Sequence, residues 1–370
     1  KVFQSKKNYV KGKHIFLNTF SLGNMYTIVK RLLNFKEEGS VMALSSYAKN
    51  VTPPLDLFTK NKYNHFTSVQ GSIYELNVNL KKYPKLICNL VQTELEKIVL
   101  NYVSNIIKNK KRNLCVSGGV FQNTVLNSKI LDVCPDLYVD PFADDSGLSM
   151  GAALWYSNKY KFYNKKINTL YLGDLPNYEK LPKNKGVYVT PKQVAENISK
   201  GNITAIYQGK NELGKRALGN RSFLFDPRDQ HAKDKINLLK NREWFRPTAG
   251  TILHEHADKW FDLKSKKETP FMSYVFNLKK QGVPGITHID NTCRIQTLKK
   301  EENFYYYNLI NEFYKITGVP ILLNTSFNLA GQPLVNSVHD AIRTLTNCDD
   351  KFKMIYFPEI GKVYEKSNFT

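Results

Sequence analysis

The chain has 370 residues, 42% hydrophobic and 12% aromatic, which is enough for two domains with separate cores and rules out a disordered polypeptide. Its 54 Lys and Arg against 32 Asp and Glu leave a formal charge of +22, which suits a polyanionic partner, although abundant Lys, Asn, Ile and Tyr supply a purely compositional explanation as well. No apolar run approaches the ~20 residues of a membrane helix and no signal-peptide pattern opens the chain, so a cytoplasmic protein with no membrane partner is expected.

Five cysteines, Cys88, Cys115, Cys134, Cys293 and Cys348, lack CxxC spacing and read as reduced thiols. The chain opens on Lys1 and not Met, from which a fragment or a processed product is expected. Residues 1–19 are basic and unpatterned. Met25, Val29, Leu32 and Leu33 then predict a helix that turns at Gly39, and residues 52–83 read as loop. Leu86, Leu90, Ile98, Tyr102, Val103 and Ile106 predict the buried face of a helix over 86–107, ended by the basic run 108–112.

A strand over 113–116 leads into Ser117-Gly118-Gly119 and a helix through Leu131. Bare backbone N–H groups at such a turn suit a nucleotide, but two glycines taken alone favour a purely structural tight turn. A second strand, 137–139, precedes Asp144-Asp145-Ser146-Gly147 and a helix over 148–155, where adjacent carboxylates suit the first turn. Residues 156–182 form a basic, aromatic linker. A boundary near Asn177 divides the chain into domains 1–176 and 177–370.

The stretch 207–250 holds the densest chemistry. Lys215, Arg216, Arg221, Arg228, Lys240, Arg242 and Arg246 alternate with Gly209, Gly214 and Gly219, mixing cationic forks with places where backbone can approach an anion. A solvated basic face is the competing reading, but surplus charge elsewhere is mostly lysine, and arginine is the residue of planar anion recognition. Gly209 to Lys215 fits all but the end of a P-loop; Arg216 stands where the hydroxyl belongs, and Gly219 leaves no room for the helix, so a P-loop is set aside. His254 and His256 lack zincin spacing and a third ligand. The apolar strand 321–323 runs into Asn324-Thr325-Ser326, which places amide and hydroxyl donors at a strand end, and a helix over 338–345 capped by Ser337 follows.

ELGKRALGNRSFLFDPRD, KNREWFRPTAG, THIDNTCRIQTL, GVPILLNTSFNLAGQPLV, NLCVSGGVFQNTVLNSKIL and FADDSGLSMGAAL together resemble the carbamoyltransferase family that includes the nodulation and antibiotic O-carbamoyltransferases, over about Ser21 to the C-terminus. The resemblance implies an α/β (α+β) fold, a partial actin-like (ASKHA) domain followed by a YrdC-like mixed-sheet domain. It further implies formation of carbamoyl-adenylate from carbamoyl phosphate and ATP with Mg²⁺, then transfer to an acceptor hydroxyl. By position, Lys215, Arg216, Lys240, Arg246 and Arg294 inherit catalytic roles, and Arg221, Arg242, His288, Asn324 and Ser326 inherit substrate binding. Gly118, Gly119 and Asn123 inherit the adenylate in the actin-like part. Asp145 inherits a metal role, for a divalent transition metal such as Fe²⁺, and the helix-cap reading stays open beside it.

Two departures stand out. Ala43 and Ser45-Ser46 replace expected Gly, Ala and Pro, and the family's H-x-x-x-H element and further D-G aspartate are absent from these 370 residues. A second chain or a missing N-terminal segment, in a homo- or hetero-oligomer, would restore them; otherwise the chain is a nucleotide- or nucleic-acid-binding subunit that has lost transfer. The acceptor is open between a hydroxymethylated DNA base, which the charge and the basic-aromatic runs 108–112 and 156–166 favour, a small sugar or antibiotic-like molecule, and a tRNA in a threonylcarbamoyl-type modification.

Overall fold

The computed structural model describes residues 22–48, 82–107, 113–162, 169–348 and 352–369, with the backbone of four short strands before Pro84: β1 (Asn8–Val10), β2 (Lys13–Ile15), β3 (Thr59–Lys60) and β4 (Phe66–Ser68). The basic run 108–112 and part of the expected linker, 163–168, lie outside the described residues. Packing divides the chain into two compact units, Lys1–Lys108 and Asn109–Thr370. The boundary expected near Asn177 is a different division of the chain.

In the first unit, α1 (Leu22–Leu32), α2 (Glu38–Ser45) and α3 (Pro84–Ile107) pack together around Met25, Val29, Val41 and Leu44. The face expected for α3 is corrected: Ile87, Val91, Leu95, Val99 and Val103 are its buried stripe, while Tyr102 is 40% exposed. Gln92 and Glu96 interrupt that stripe in the sequence and hid it. They are buried because the Gln92 amide donates to Glu96 at 2.7 Å and accepts from the Tyr26 hydroxyl, so their polar atoms are satisfied.

The second unit opens with β5 (Leu114–Val116), α4 (Thr124–Val133) and β6 (Leu137–Val139), a parallel pair joined by a crossover helix, followed by α5 (Leu148–Tyr160). Then come β7 (Gly186–Tyr188), α6 (Pro191–Ser199), β8 (Thr204–Tyr207), β9 (Arg221–Phe225), α7 (Ala232–Leu239), β10 (Ala249–Leu253), α8 (Ala257–Trp260), β11 (Phe261–Asp262), β12 (Val275–Leu278), β13 (Thr292–Leu298), α9 (Phe304–Thr317), β14 (Ile321–Ser326), α10 (Val338–Asn347), β15 (Met354–Phe357) and β16 (Lys362–Glu365). Strands β7 to β16 make one mixed sheet, ordered β11-β12-β13-β10-β14-β9-β8-β15-β16-β7, with β10/β13 and β8/β15 parallel. The α/β class expected from the sequence is the observed one.

Strands β8, β9, β10 and β15 are buried at every residue, as a sheet covered on both faces requires. Helix α6 packs on α9 over one face, and its Asn197 donates to Thr204 of β8 at 3.3 Å. On the other, Ile286 lies against Gly250, where a Cβ would come within 2.7 Å of it. Ser337 caps α10 in a reciprocal capping box with Asp340, as its sequence indicates. Among the described residues no helix is long and apolar enough to cross a membrane.

Candidate functional site

Between β8 and β9 the chain makes a loop, 208–220, in which Gly209, Gly214 and Gly219 all take positive φ (+49°, +97° and +104°). No helix follows Lys215, in keeping with the rejection of a P-loop. Side chains from below hold the loop's backbone. Asn324 of β14 donates to Ala217 O at 3.1 Å, Tyr171 and Gln296 donate to Leu218 O at 2.8 and 3.2 Å, and Gln208 donates to Gly219 O at 2.9 Å. Glu212 accepts from the N–H groups of Leu218 and Arg221 at 2.9 and 3.2 Å. Asn324 and Gln296 are themselves joined through Thr251, at 3.0 and 2.9 Å, so β13, β10 and β14 present one polar stripe to the loop. Burial pushes the Tyr171 hydroxyl far above its ordinary pKa, so it stays protonated and able to donate.

Gly219 fits only as glycine, since an added Cβ would stand 2.1 Å from Tyr306. Leu218 packs into a cluster with Phe142, Leu170, Ala249 and Met272, which draws the segment before Asp144 onto the same face of the sheet. The loop's tip then meets that segment. Lys215 Nζ lies 3.4 Å from Asp144 Oδ2, and Arg216 donates to Gln122 O at 3.2 Å. Gln122 also donates to Asp144 at 2.8 Å. Two motifs expected in separate domains, the arginine-rich loop and the Gly118-Gly119/Asp144-Asp145 pair of turns, are therefore adjoining.

Within those turns Gly118 has φ +102°, Asn123 caps α4 by accepting from Leu126 N–H at 3.0 Å, and Asp144 caps the turn 145–147 by accepting from Ser146 N–H at 2.9 Å. Asp145, the expected metal ligand, is exposed in that turn. Burial raises the Asp144 carboxyl, but hydrogen bonds from Ser146 and Gln122 and the Lys215 charge outweigh it, and its pKa is lowered. Among the described residues no three His, Cys, Asp or Glu gather as a metal-binding group. Among the described residues Asp145 thus lacks the companion ligands that a divalent transition metal needs.

The remaining candidates fall into four groups. Lys240, at the end of α7, donates to Ser326 O and Oγ at 2.8 and 3.0 Å and to Asn328 O at 2.6 Å, tying down the end of β14. Arg242 bonds Asn237, whose amide holds the carbonyls of Trp244 and Arg246 at 3.0 Å; Arg246 stands 3.8 Å from Glu243. Arg294 pairs in register with Ala249, and Ala249 with Asn324, so cation and amide share a face two strands apart, roughly 10 Å. His288 faces Asp290 at 3.4 Å.

Arg221 is the most enclosed of the expected substrate-binding residues. It is fully buried, its guanidinium stacks 3.6 Å over the Tyr207 ring, and it donates to the carbonyls of Gln208, Gly209 and Asn220. It holds the backbone of the loop. His254 and His256 lie in a short helical turn, with His256 against the Tyr314 ring at 4.6 Å. The sequence reading passed over Glu212, Tyr171, Gln296, Thr251 and Gln122. Gln122 was within reach, inside the quoted Gly-Gly-Val-Phe-Gln-Asn run. Tyr171 and Gln296 bind the Leu218 carbonyl from distant segments, Thr251 joins side chains of two neighbouring strands, and Glu212 binds N–H groups further along its own loop, so none leaves a local signal.

Residues 2–154 match the carbamoyltransferase N-terminus and residues 195–357 the carbamoyltransferase C-terminus. Nodulation protein NolNO of Sinorhizobium fredii is 35% identical over 379 residues, covering 92% of this chain and 55% of that one. Two uncharacterized proteins of Methanocaldococcus jannaschii are 33% and 34% identical, each over 89% of this chain and over 60% and 70% of their own lengths. The chain thus spans little more than half the length of several of these relatives. Among solved structures, full-length HypF in the phosphate- and nucleotide-bound form overlays 45% of this chain and 21% of its own at a TM-score of 0.32 and 18% identity, too partial a likeness to carry an argument. On the two domain matches and the identity with relatives, the chain belongs to the carbamoyltransferase family.

Proposed function

We propose that the chain supports ATP-dependent O-carbamoyl transfer: carbamoyl-adenylate forms from carbamoyl phosphate and ATP, and its carbamoyl group passes to an acceptor hydroxyl with AMP leaving. The observation that carries this reading is the Lys215–Arg216 tip, held from below and set against Asp144 and Gln122 beside Gly118-Gly119. Both substrates are polyanions, and charge grows on the leaving oxygens, so cations fixed beforehand lower the barrier most. For carbamoyl-adenylate and pyrophosphate both to appear, a carbamoyl oxygen must displace pyrophosphate at the α-phosphorus of ATP. The phosphate of carbamoyl phosphate must therefore have left to water.

In this reading Lys215, Arg216, Lys240, Arg246 and Arg294 neutralise the phosphates, Arg242, His288 and Ser326 orient them, and Asn324 serves by holding the loop. Magnesium would enter with ATP. Gly118 and Gly119 offer the adenylate backbone N–H groups next to Asp144, which shortens the path between the two steps. The domain labels, YrdC-like after partial actin-like, and a cytoplasmic site of action belong to the same proposal.

The partner and the acceptor are also proposed. Helix α5 buries no residue, and Leu148 and Leu154 on it are 68% and 42% exposed, which supports a further polypeptide that covers it and completes the first domain. At its end Trp155, Tyr156, Tyr160 and Phe162 are exposed, with Lys159 4.9 Å from the Trp155 ring, which supports a nucleic-acid acceptor such as a hydroxymethylated DNA base. The test of the central step is pyrophosphate release from ATP. It should depend on carbamoyl phosphate and should not appear with threonine and bicarbonate; the reverse dependence would replace this reading with the tRNA one.

A further inference from the structure

The base of the 208–220 loop holds two buried opposite charges, and each is used on backbone. Glu212, 3% exposed, gathers N–H groups through one carboxylate oxygen, those of Leu218 and Arg221; Arg221 gathers the carbonyls of Gln208, Gly209 and Asn220. The bond from Leu218 N–H to Glu212 closes the turn 212–218, whose middle residue is Lys215. The second carboxylate oxygen of Glu212 is buried without a hydrogen-bond partner among the described residues. Burying an ionised carboxylate with half its acceptors unmet is costly, and a neutral side chain could close an ordinary turn more cheaply. What the charge adds is strength, because charge-assisted bonds to backbone N–H are about twice as strong as neutral ones and fix the turn more tightly.

We propose that Glu212 is a positioning residue for the Lys215–Arg216 tip: acting through the Leu218 and Arg221 N–H groups, it sets where those two cations stand relative to the reacting phosphates. This rests on the carbamoyl-adenylate reading above. Glu212 touches no substrate. Tyr171, from the segment before β7, assists by fixing the carbonyl of the same Leu218 peptide at 2.8 Å.

The test uses the full chain with Glu212→Ala, the conservative Glu212→Gln, and Tyr171→Phe, which keeps the ring and removes only the hydroxyl. Amide hydrogen exchange at Leu218 and Arg221 is read beside the pyrophosphate-release kinetics. In Glu212→Ala the two amides should exchange at least about tenfold faster while those of β14 stay unchanged, with Glu212→Gln between it and the parent. Loss of position without loss of contact should lower kcat by about ten- to a hundredfold and leave the KM values within about threefold. Unchanged exchange at Leu218, or a loosened loop with unchanged kcat, overturns the proposal. Should Glu212→Ala fail to fold, Tyr171→Phe must show the same pattern more weakly, and no change there overturns it as well. Should the parent protein release no pyrophosphate, the functional reading fails separately, and the exchange data alone decide whether Glu212 holds the loop.

Discussion

Lys215 Nζ stands 3.4 Å from Asp144 Oδ2, joining the cationic tip of one motif to the carboxylate of another 71 positions earlier in the chain. Lys215 is 62% exposed, so the pair contributes at most about 1 kcal/mol to stability. Its significance is positional. An anion arriving at the tip competes with Asp144 for Lys215, and Asp144 is then left to Ser146 and Gln122.

Asp144→Asn should therefore separate stability from chemistry. The Asp144 pKa is lowered in the folded state, so its carboxylate stabilises the fold above the unfolded carboxyl pKa of about 3.9, and that contribution is lost as pH falls through the folded value. Urea titrations should find the variant less stable than the parent at pH 7, with the gap closing below about pH 4. A constant gap from pH 7 to pH 3 would contradict the ionised Asp144.

Gly219→Ala should be among the most damaging small substitutions. The residue has φ +104°, and the added Cβ would stand 2.1 Å from Tyr306, whose ring is fully buried and cannot swing away. Left-handed strain and overpacking together amount to about 2–5 kcal/mol. Thermal or urea unfolding checks this. A loss under 1 kcal/mol would mean that the loop backbone is less constrained than described.

What could be read in the sequence was what is local. Strand β6, the cap at Ser337 and the turn-forming glycines all carry their signals within a few residues, and Leu137–Val139 lies where the apolar run put it. The buried face of helix α3 is hard to read because it includes Gln92 and Glu96, polar residues that bond one another and Tyr26 from another helix. The surroundings of Arg221 are hidden for the same kind of reason: composition shows a cation beside glycines, but only the fold shows that Tyr207 and three carbonyls enclose it. That Gln122 donates to Asp144 is likewise invisible locally, because the contact is made across 22 positions.

The nucleic-acid acceptor makes its own prediction. Binding of hydroxymethylated duplex DNA should fall linearly in log K with log salt, and Trp155→Ala with Tyr160→Ala should weaken it by about 1–3 kcal/mol per stacked base. Equal binding by parent and double variant would reject α5 as the stacking surface.

The most direct measurement of the account is pyrophosphate release from ATP in the presence of carbamoyl phosphate, by the parent chain and by Lys215→Ala and Arg246→Ala. Release should require both substrates and fall about 10²- to 10³-fold in each variant, the scale of one charge-stabilising donor, roughly 2–4 kcal/mol. Release at the parent rate by both variants would contradict it.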